Sequence, residues 1–168
     1  YNMIIWIEGV DGTGKTTLCK TLHETYGYNV AKGIERQCNK KTECTDWQKL
    51  ICTLHETRGT YIIDRSPITE LVYRLVDTDP SYISSDLLKE MCINSKCIFC
   101  ESDTAFRDAQ IRGEDNIIEY KLHSKLSHLY PVVVELLHTH GRLPVMKYNY
   151  TCNDIKDVIK FINSSEVK

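Results

Sequence analysis

The stretch Met3-Ile4-Ile5-Trp6-Ile7-Glu8-Gly9-Val10-Asp11-Gly12-Thr13-Gly14-Lys15-Thr16-Thr17 decides how this chain folds. Met3 to Ile7 is a continuous apolar run of the kind that forms a strand buried on both faces, and Glu8 ends it. Gly9 to Thr16 then matches G-x-x-x-x-G-K-[ST], and a helical pattern runs from Lys15 to about Tyr26, with Gly27 as its stop. A strand, a glycine-rich turn and a helix in that order form a phosphate cradle. The glycines let successive backbone N–H groups turn inward, and the helix start adds its partial positive charge. Lys15 is placed to reach the terminal phosphates, and the Thr16 hydroxyl to hold Mg²⁺. The alternative is a tight strand–helix turn carrying a surface lysine.

Outward from this stretch, β-type runs alternate with helical ones. Tyr28–Ala31 is a weak strand, Thr60–Asp64 a clear one, Lys96–Glu101 a strong one and Leu143–Tyr148 the last. Between them, Asp46 is placed to cap a helix with the stripe Trp47, Leu50, Ile51 and Leu54, stopped by Gly59. Ser66-Pro67 has the chemistry of a helix start. Ser85 precedes a helix carrying Leu88, Met91 and Cys92, and Thr104–Arg112 is helical. From Ile118 a long helix is expected, kinked at Pro131. Asn153 is placed to cap a final helix. The expectation is an α/β fold of the P-loop type: a five-stranded parallel sheet with helices on both faces, in one domain spanning 1–168. Ligands of such sheets sit at the carboxyl ends of the strands, here just after Glu8, Asp64 and Glu101.

Composition narrows the classes. The 168 residues are 42% hydrophobic and 26% charged, which is globular and excludes disorder, collagen and coiled coil. A net charge of −2 gives no global pull toward nucleic acid or anionic lipid. The opening apolar run is far shorter than the roughly 20 residues of a membrane span. It also lacks a signal peptide's basic flank, so a soluble cytoplasmic protein starting at Met3 is expected. Several of the eight cysteines lie inside apolar segments. Strand alternation sends Cys97 and Cys100 to opposite faces, so reduced, packing thiols are expected rather than zinc. His138-x-His140 reads as the polar tail of a helix ending at Gly141.

Triphosphate binding does not name a reaction. A GTPase would want Asn-Lys-x-Asp, and Asn39-Lys40-Lys41-Thr42 lacks the Asp. A small kinase fits the length, but it needs an acceptor site and extra cations. Asp64 at a strand end is suited to organise water around Mg²⁺ or to accept the proton of an attacking hydroxyl. Arg65 is suited to fork onto an acceptor phosphate or to bridge donor and acceptor. The alternative is a structural Asp–Arg pair capping the Ser66-Pro67 helix. Arg107 and Arg112, five positions apart, are candidates for a lid over about 107–119 that excludes water and stabilises transition-state charge. Arg-Gly-Glu-Asp as a plain solvated turn is the competing reading. Lys32, Arg36, Lys40 and Lys41 form a basic cluster, read equally as an exposed loop or an acceptor-phosphate site. Tyr120, Tyr130 and Trp47 are candidates to stack a base, although aromatics at helical spacing are more often core.

The segment Glu8-Gly9-Val10-Asp11-Gly12-Thr13-Gly14-Lys15-Thr16-Thr17 resembles the phosphate loop of thymidylate kinases, including the acidic Asp11. Asp64-Arg65 resembles that family's Asp-Arg pair, and is also similar to the Glu-Arg-Ser of deoxynucleoside kinases. Arg107, Arg112-Gly113-Glu114 and Glu119 resemble the lid. The chain departs from the pattern in its shortness and in lacking Arg-Glu-Pro-Gly-Gly after the second strand, where Arg36 stands alone. The resemblance implies an ATP- and Mg²⁺-dependent kinase acting on a pyrimidine deoxynucleoside monophosphate, and possible homodimers. Its nucleotide contacts would be Gly9, Asp11, Gly12, Thr13, Gly14, Lys15, Thr16 and Thr17, and its acceptor contacts Asp11, Arg36 and Arg65. Mg²⁺ would fall to Thr16 and Asp64, and charge stabilisation to Lys15, Arg107 and Arg112. The trimmed build suits a viral or phage enzyme working in host cytoplasm. A second reading is a kinase for a hydroxyl, on a deoxynucleoside or on 5-hydroxymethyluracil in DNA. A third, of another class, is a nucleotide-gated ATPase or binding module.

Overall fold

The computed structural model describes residues 2–34, 44–77, 84–111 and 120–165. Its strands are β1 (Asn2–Glu8), β2 (Asn29–Lys32), β3 (Gly59–Asp64), β4 (Ser95–Cys100) and β5 (Val145–Tyr148). They form one sheet in the order β2-β3-β1-β4-β5, every neighbouring pair parallel. The helices are α1 (Lys15–Glu24), α2 (Cys44–Glu56), α3 (Pro67–Val76), α4 (Ser85–Cys92), α5 (Ala105–Ile111), α6 (Tyr120–Gly141) and α7 (Ile155–Asn163). Parallel strands need long crossovers, and these helices supply them on both faces of the sheet.

Period-2 alternation along β1 divides the core. Ile4 and Trp6 join Trp47 and Ile51 of α2, Ile68 and Val72 of α3, Met91 of α4 and Leu126 of α6. Ile5 and Ile7 face the other way, onto Leu18 and Leu22 of α1 and Val158 and Ile162 of α7. Met3 to Glu8 are all buried, as an apolar run at the centre of a parallel sheet requires. Each such isoleucine contributes about 1.5–3 kcal/mol by leaving water. The Trp6 indole N–H donates to the Met91 carbonyl at 2.9 Å, and its ring meets Trp47 edge-on. Cys97 lies in the first cluster and Cys100 in the second, on opposite faces as alternation demands. Burial pushes the Cys92 thiol up to about 11 and the Cys100 thiol to about 12. Both stay protonated near neutrality.

The helix starts differ from expectation: α2 begins at Cys44, so Asp46 lies in its first turn rather than at its cap, α5 begins at Ala105, and two caps are displaced by one residue. Ser84, not Ser85, caps α4 by accepting from the Leu87 N–H, and Asp154, not Asn153, caps α7 by accepting from the Lys156 N–H. Ser84 and Asp154 both have the extended backbone of an N-cap. Gly59 opens β3 rather than closing α2. The long helix starts at Tyr120 and runs unbroken through Pro131 to Gly141. His138 is its tail, its Nδ1 donating to the Leu143 carbonyl at 2.8 Å. No helix among the described residues is long and apolar enough to cross a membrane. Pairing aligns Ile7 with Asp64 and Glu8 with Phe99, so the ends of β1, β3 and β4 meet at one edge.

Candidate active site

The loop between β1 and α1 has a backbone that only glycine permits at two points. Gly9 has φ +144°, and a Cβ there would stand 2.3 Å from the Cys100 carbonyl oxygen. Gly12 has φ +86°, and its Cβ would fall 1.7 Å from the Ala105 carbonyl oxygen. Conformation and space both exclude a side chain. The Thr13 hydroxyl ties the loop by donating to the Val10 carbonyl at 2.7 Å. Gly14 is the N-cap of α1 and brings no side-chain cap, which leaves the first helical N–H groups for an anion. Lys15 is buried, and its Nζ donates to the Gly9 and Val10 carbonyls at 2.7 Å each. Burial, with the neighbouring Arg65 charge, pushes its ammonium below the usual lysine range. The lysine head therefore lies along the cradle instead of out in solvent.

β3 delivers Asp64 and Arg65 to the same edge. Arg65 has φ +77°, a left-handed conformation rare for a residue with a side chain. Its own N–H donates to the Ile7 carbonyl at 2.9 Å, and its Nη2 reaches Asp11 Oδ1 in the loop at 2.9 Å. The alternative reading of Asp64-Arg65, a structural cap on α3, does not hold. Ser66 caps that helix, its Oγ accepting from the Ile68 N–H at 3.0 Å with Pro67 in the first turn. Asp64 shares the sheet face of Ile62, on the α1 side, and acts electrostatically on Cys19 and Cys100 there. Its Oδ1 is buried without a hydrogen-bond partner. Thr16 and Thr17 are exposed in the first turn of the same helix. Among the described residues no three His, Cys, Asp or Glu side chains cluster to hold a metal by themselves. A hydroxyl, one carboxylate with an unused oxygen and an anion cradle do fit Mg²⁺, which keeps several waters and takes phosphate oxygens as ligands.

Glu8 occupies the opposite face and was missed as a site residue. It is fully buried, and it accepts from Ser66 Oγ at 2.9 Å and from Thr69 Oγ1 at 2.9 Å. The Tyr130 hydroxyl donates in turn to Thr69 Oγ1 at 3.1 Å. Burial is the largest influence on the Glu8 carboxyl and holds it above its ordinary value. A signal existed in the sequence: a carboxylate ending an otherwise apolar strand, with Ser66 and Thr69 three apart on one helix face. His123 was also missed. Its Nε2 donates to the Asp11 carbonyl at 3.0 Å and joins α6 to the loop. Its ring lies edge-on to Phe106 of α5, which meets Tyr120 in the same way.

Arg107 is exposed on α5. Arg36 and Arg112, and with them residues 112–119 of the expected lid and the Lys40–Lys41 part of the basic cluster, lie outside the described residues. Trp47 and Tyr130 are core residues, 1% exposed each, and do not stack a base. Trp47 is spent on Trp6, and Tyr130 on Phe99. Tyr120, by contrast, is 66% exposed.

The parallel sheet in this strand order, with its glycine loop between β1 and α1, is an α/β fold of the P-loop type. Three solved structures are similar over nearly their whole length. The YorR protein from Bacillus subtilis, in complex with phosphorylated GDP, is 21% identical with a TM-score of 0.73, covering 95% of each chain. Deoxyadenosine kinase from M. mycoides with bound dATP is 16% identical with a TM-score of 0.70, covering 96% of this chain and 100% of that one. Shikimate kinase from Acinetobacter baumannii in complex with shikimate is 13% identical with a TM-score of 0.58, covering 99% and 96%. At such identities the likeness is one of fold. No protein-family model matches the chain, and no curated protein matches its sequence.

Proposed function

We propose that this chain is a phosphotransferase moving the γ-phosphoryl group of ATP to a deoxynucleotide-type acceptor. One observation carries the reading. The Arg65 guanidinium crosses from the end of β3 to Asp11 inside the phosphate loop, so acceptor-side and donor-side groups share one rim. The loop amides and the α1 start hold the triphosphate tail, and Lys15 exchanges its bonds to the loop carbonyls for phosphate oxygens. Thr16 and, through water, Asp64 would hold Mg²⁺, which supplies charge neutralisation between the phosphoryl groups. Arg65, steered by Asp11, positions the acceptor. Arg107 and Arg112 are the lid cations of this reading, and Arg36 an acceptor contact.

The resemblance of the loop and of Asp64-Arg65 to thymidylate kinases favours a pyrimidine deoxynucleoside monophosphate. A second reading, transfer to a hydroxyl, has its own support. Arg65 is already neutralised by Asp11, which weakens its pull on an acceptor phosphate, and the spare oxygen of Asp64 is suited to take a hydroxyl proton. Labelled ATP offered to each deoxynucleoside, each 5′-monophosphate and hydroxymethylated DNA separates these. Labelled diphosphate supports the first reading, labelled monophosphate or DNA the second. Lys15→Ala is expected to lower transfer about 10²–10³-fold. Release of free phosphate alone, with every acceptor, overturns both in favour of a nucleotide switch.

A further inference from the structure

A cavity of about 500 Å³ lies between the end of β4, α5 and α6, and no role described so far uses it. Its volume falls inside the range of roughly 300–1,000 Å³ typical of small-molecule sites. The walls combine the Phe106, Tyr120 and His123 rings with the Ser124 and Ser127 side chains. Phe106 stands edge-on to both neighbouring rings, with centroids at 5.4 and 5.2 Å, which leaves aromatic surface available to a flat guest.

Two connections place the cavity on the acceptor side. Most of its floor comes from the sheet face of Val10, Phe99 and Tyr130, opposite the α1 face where Asp64 lies. His123 is bonded to the Asp11 carbonyl, and the Asp11 side chain holds Arg65, so one loop residue joins the cavity to the positioning arginine. The charge of the lining decides which part of an acceptor enters. Glu101 and Asp103 line it, and no lysine or arginine does so among the described residues. A phosphate dianion is repelled there, whereas an uncharged heterocycle with N–H donors is matched.

We propose that this cavity is the base-binding subsite for the acceptor, taking a nucleobase between the Phe106–Tyr120 wall and the Ser127 side of α6. The inference rests on the kinase reading above and adds the place where the acceptor's base sits. The reacting end of the acceptor then extends past His123 toward Arg65.

The test is calorimetric titration of wild type, Tyr120→Ala and Ser127→Leu. The ligands are ATP alone, thymidine, deoxycytidine, deoxyadenosine and their 5′-monophosphates. Tyr120 is exposed, so its removal leaves the fold intact, and thermal melting checks Ser127→Leu. The expected result is that whichever acceptor the wild type binds is weakened about tenfold or more in both variants, in line with a lost stacking contact or a filled site. ATP affinity stays within twofold. Unchanged acceptor affinity in Tyr120→Ala overturns the subsite while leaving the kinase reading intact. So does weakened ATP with unchanged acceptor, which would assign the cavity to the donor base. A wild type that binds ATP and none of the six acceptors overturns the subsite, while the kinase reading stands or falls on the labelled-ATP assay, which includes hydroxymethylated DNA.

Discussion

Arg65 carries a backbone cost that its side chain explains. At φ +77° a non-glycine residue is held in a conformation worth about 1–3 kcal/mol of strain, and here that turn aims the guanidinium at Asp11. Arg65→Gly and Arg65→Ala remove the same charge but differ in backbone freedom. Arg65→Gly is expected to be the more stable of the two by about 1 kcal/mol in urea denaturation, both being equally impaired in transfer. Equal stabilities would mean that the left-handed turn carries no strain. Glu8 makes a second residue-scale prediction, about pH. Its folded-state carboxyl is raised above the ordinary 4.5 because burial disfavours the anion, so the folded chain binds this proton more tightly than the unfolded one. The stability it contributes is complete below pH 4.5 and is lost as pH rises through the raised value. Glu8→Gln removes that dependence. Urea midpoints over roughly pH 4 to 8 should fall for wild type relative to Glu8→Gln as pH rises. Parallel curves would show that Ser66 and Thr69 fully offset the burial.

At the scale of elements, Lys96 shows how a charged residue belongs inside this sheet. It is 1% exposed in β4, and its Nζ donates to the carbonyls of Phe161, Ile162 and Ser164 at the end of α7. A helix terminus leaves carbonyls unpaired and carries partial negative charge, and a buried ammonium answers both. Lys96→Met keeps the volume but strands those acceptors. A loss of about 2–3 kcal/mol is expected in chemical denaturation, with phosphoryl transfer unchanged once the protein is folded. A loss below about 0.5 kcal/mol would mean that water reaches the α7 terminus. Elements of this kind also show what sequence reading recovers. β1 and β4, and the alternation that parts Cys97 from Cys100, follow from apolar periodicity, because burial on both faces leaves a continuous pattern, whereas the edge strand β2 is mostly exposed and shows only weakly. The Ser84 and Asp154 caps were displaced by one residue, because two adjacent polar residues compete and only backbone geometry decides between them. Trp47 and Tyr130 were legible as core aromatics and not as base platforms, since nothing in a helical stripe distinguishes a ring that meets a ligand from one that meets Trp6 or Phe99.

The candidate site belongs to the whole molecule, because the chain brings its parts together from far apart in sequence. Glu8 meets Ser66 and Thr69, Asp11 meets Arg65, and His123 reaches Asp11 across more than a hundred residues. The phosphate loop was legible because its chemistry is local: a glycine spacing, one lysine and one threonine fix the cradle. His123 was not, because a lone histidine in a helical stripe gains meaning only when α6 is laid over the loop. Since the site unites β1, β3, α1 and α6, ligand binding should register as global stability, by RT ln(1 + [L]/Kd). That makes Asp64 testable without an acceptor. Its unpartnered Oδ1 is the atom suited to a Mg²⁺-bound water, whereas in the proposed function the loop amides and Lys15 would grip phosphate without metal. ATP with chelator should therefore raise the melting temperature of wild type and Asp64→Asn alike. Adding Mg²⁺ should raise it further in wild type, and by less than half as much in Asp64→Asn, whose neutral amide lacks the carboxylate charge that favours a Mg²⁺-bound water. A full Mg²⁺ increment in Asp64→Asn would remove Asp64 from the metal's surroundings and leave its buried oxygen to the acceptor hydroxyl.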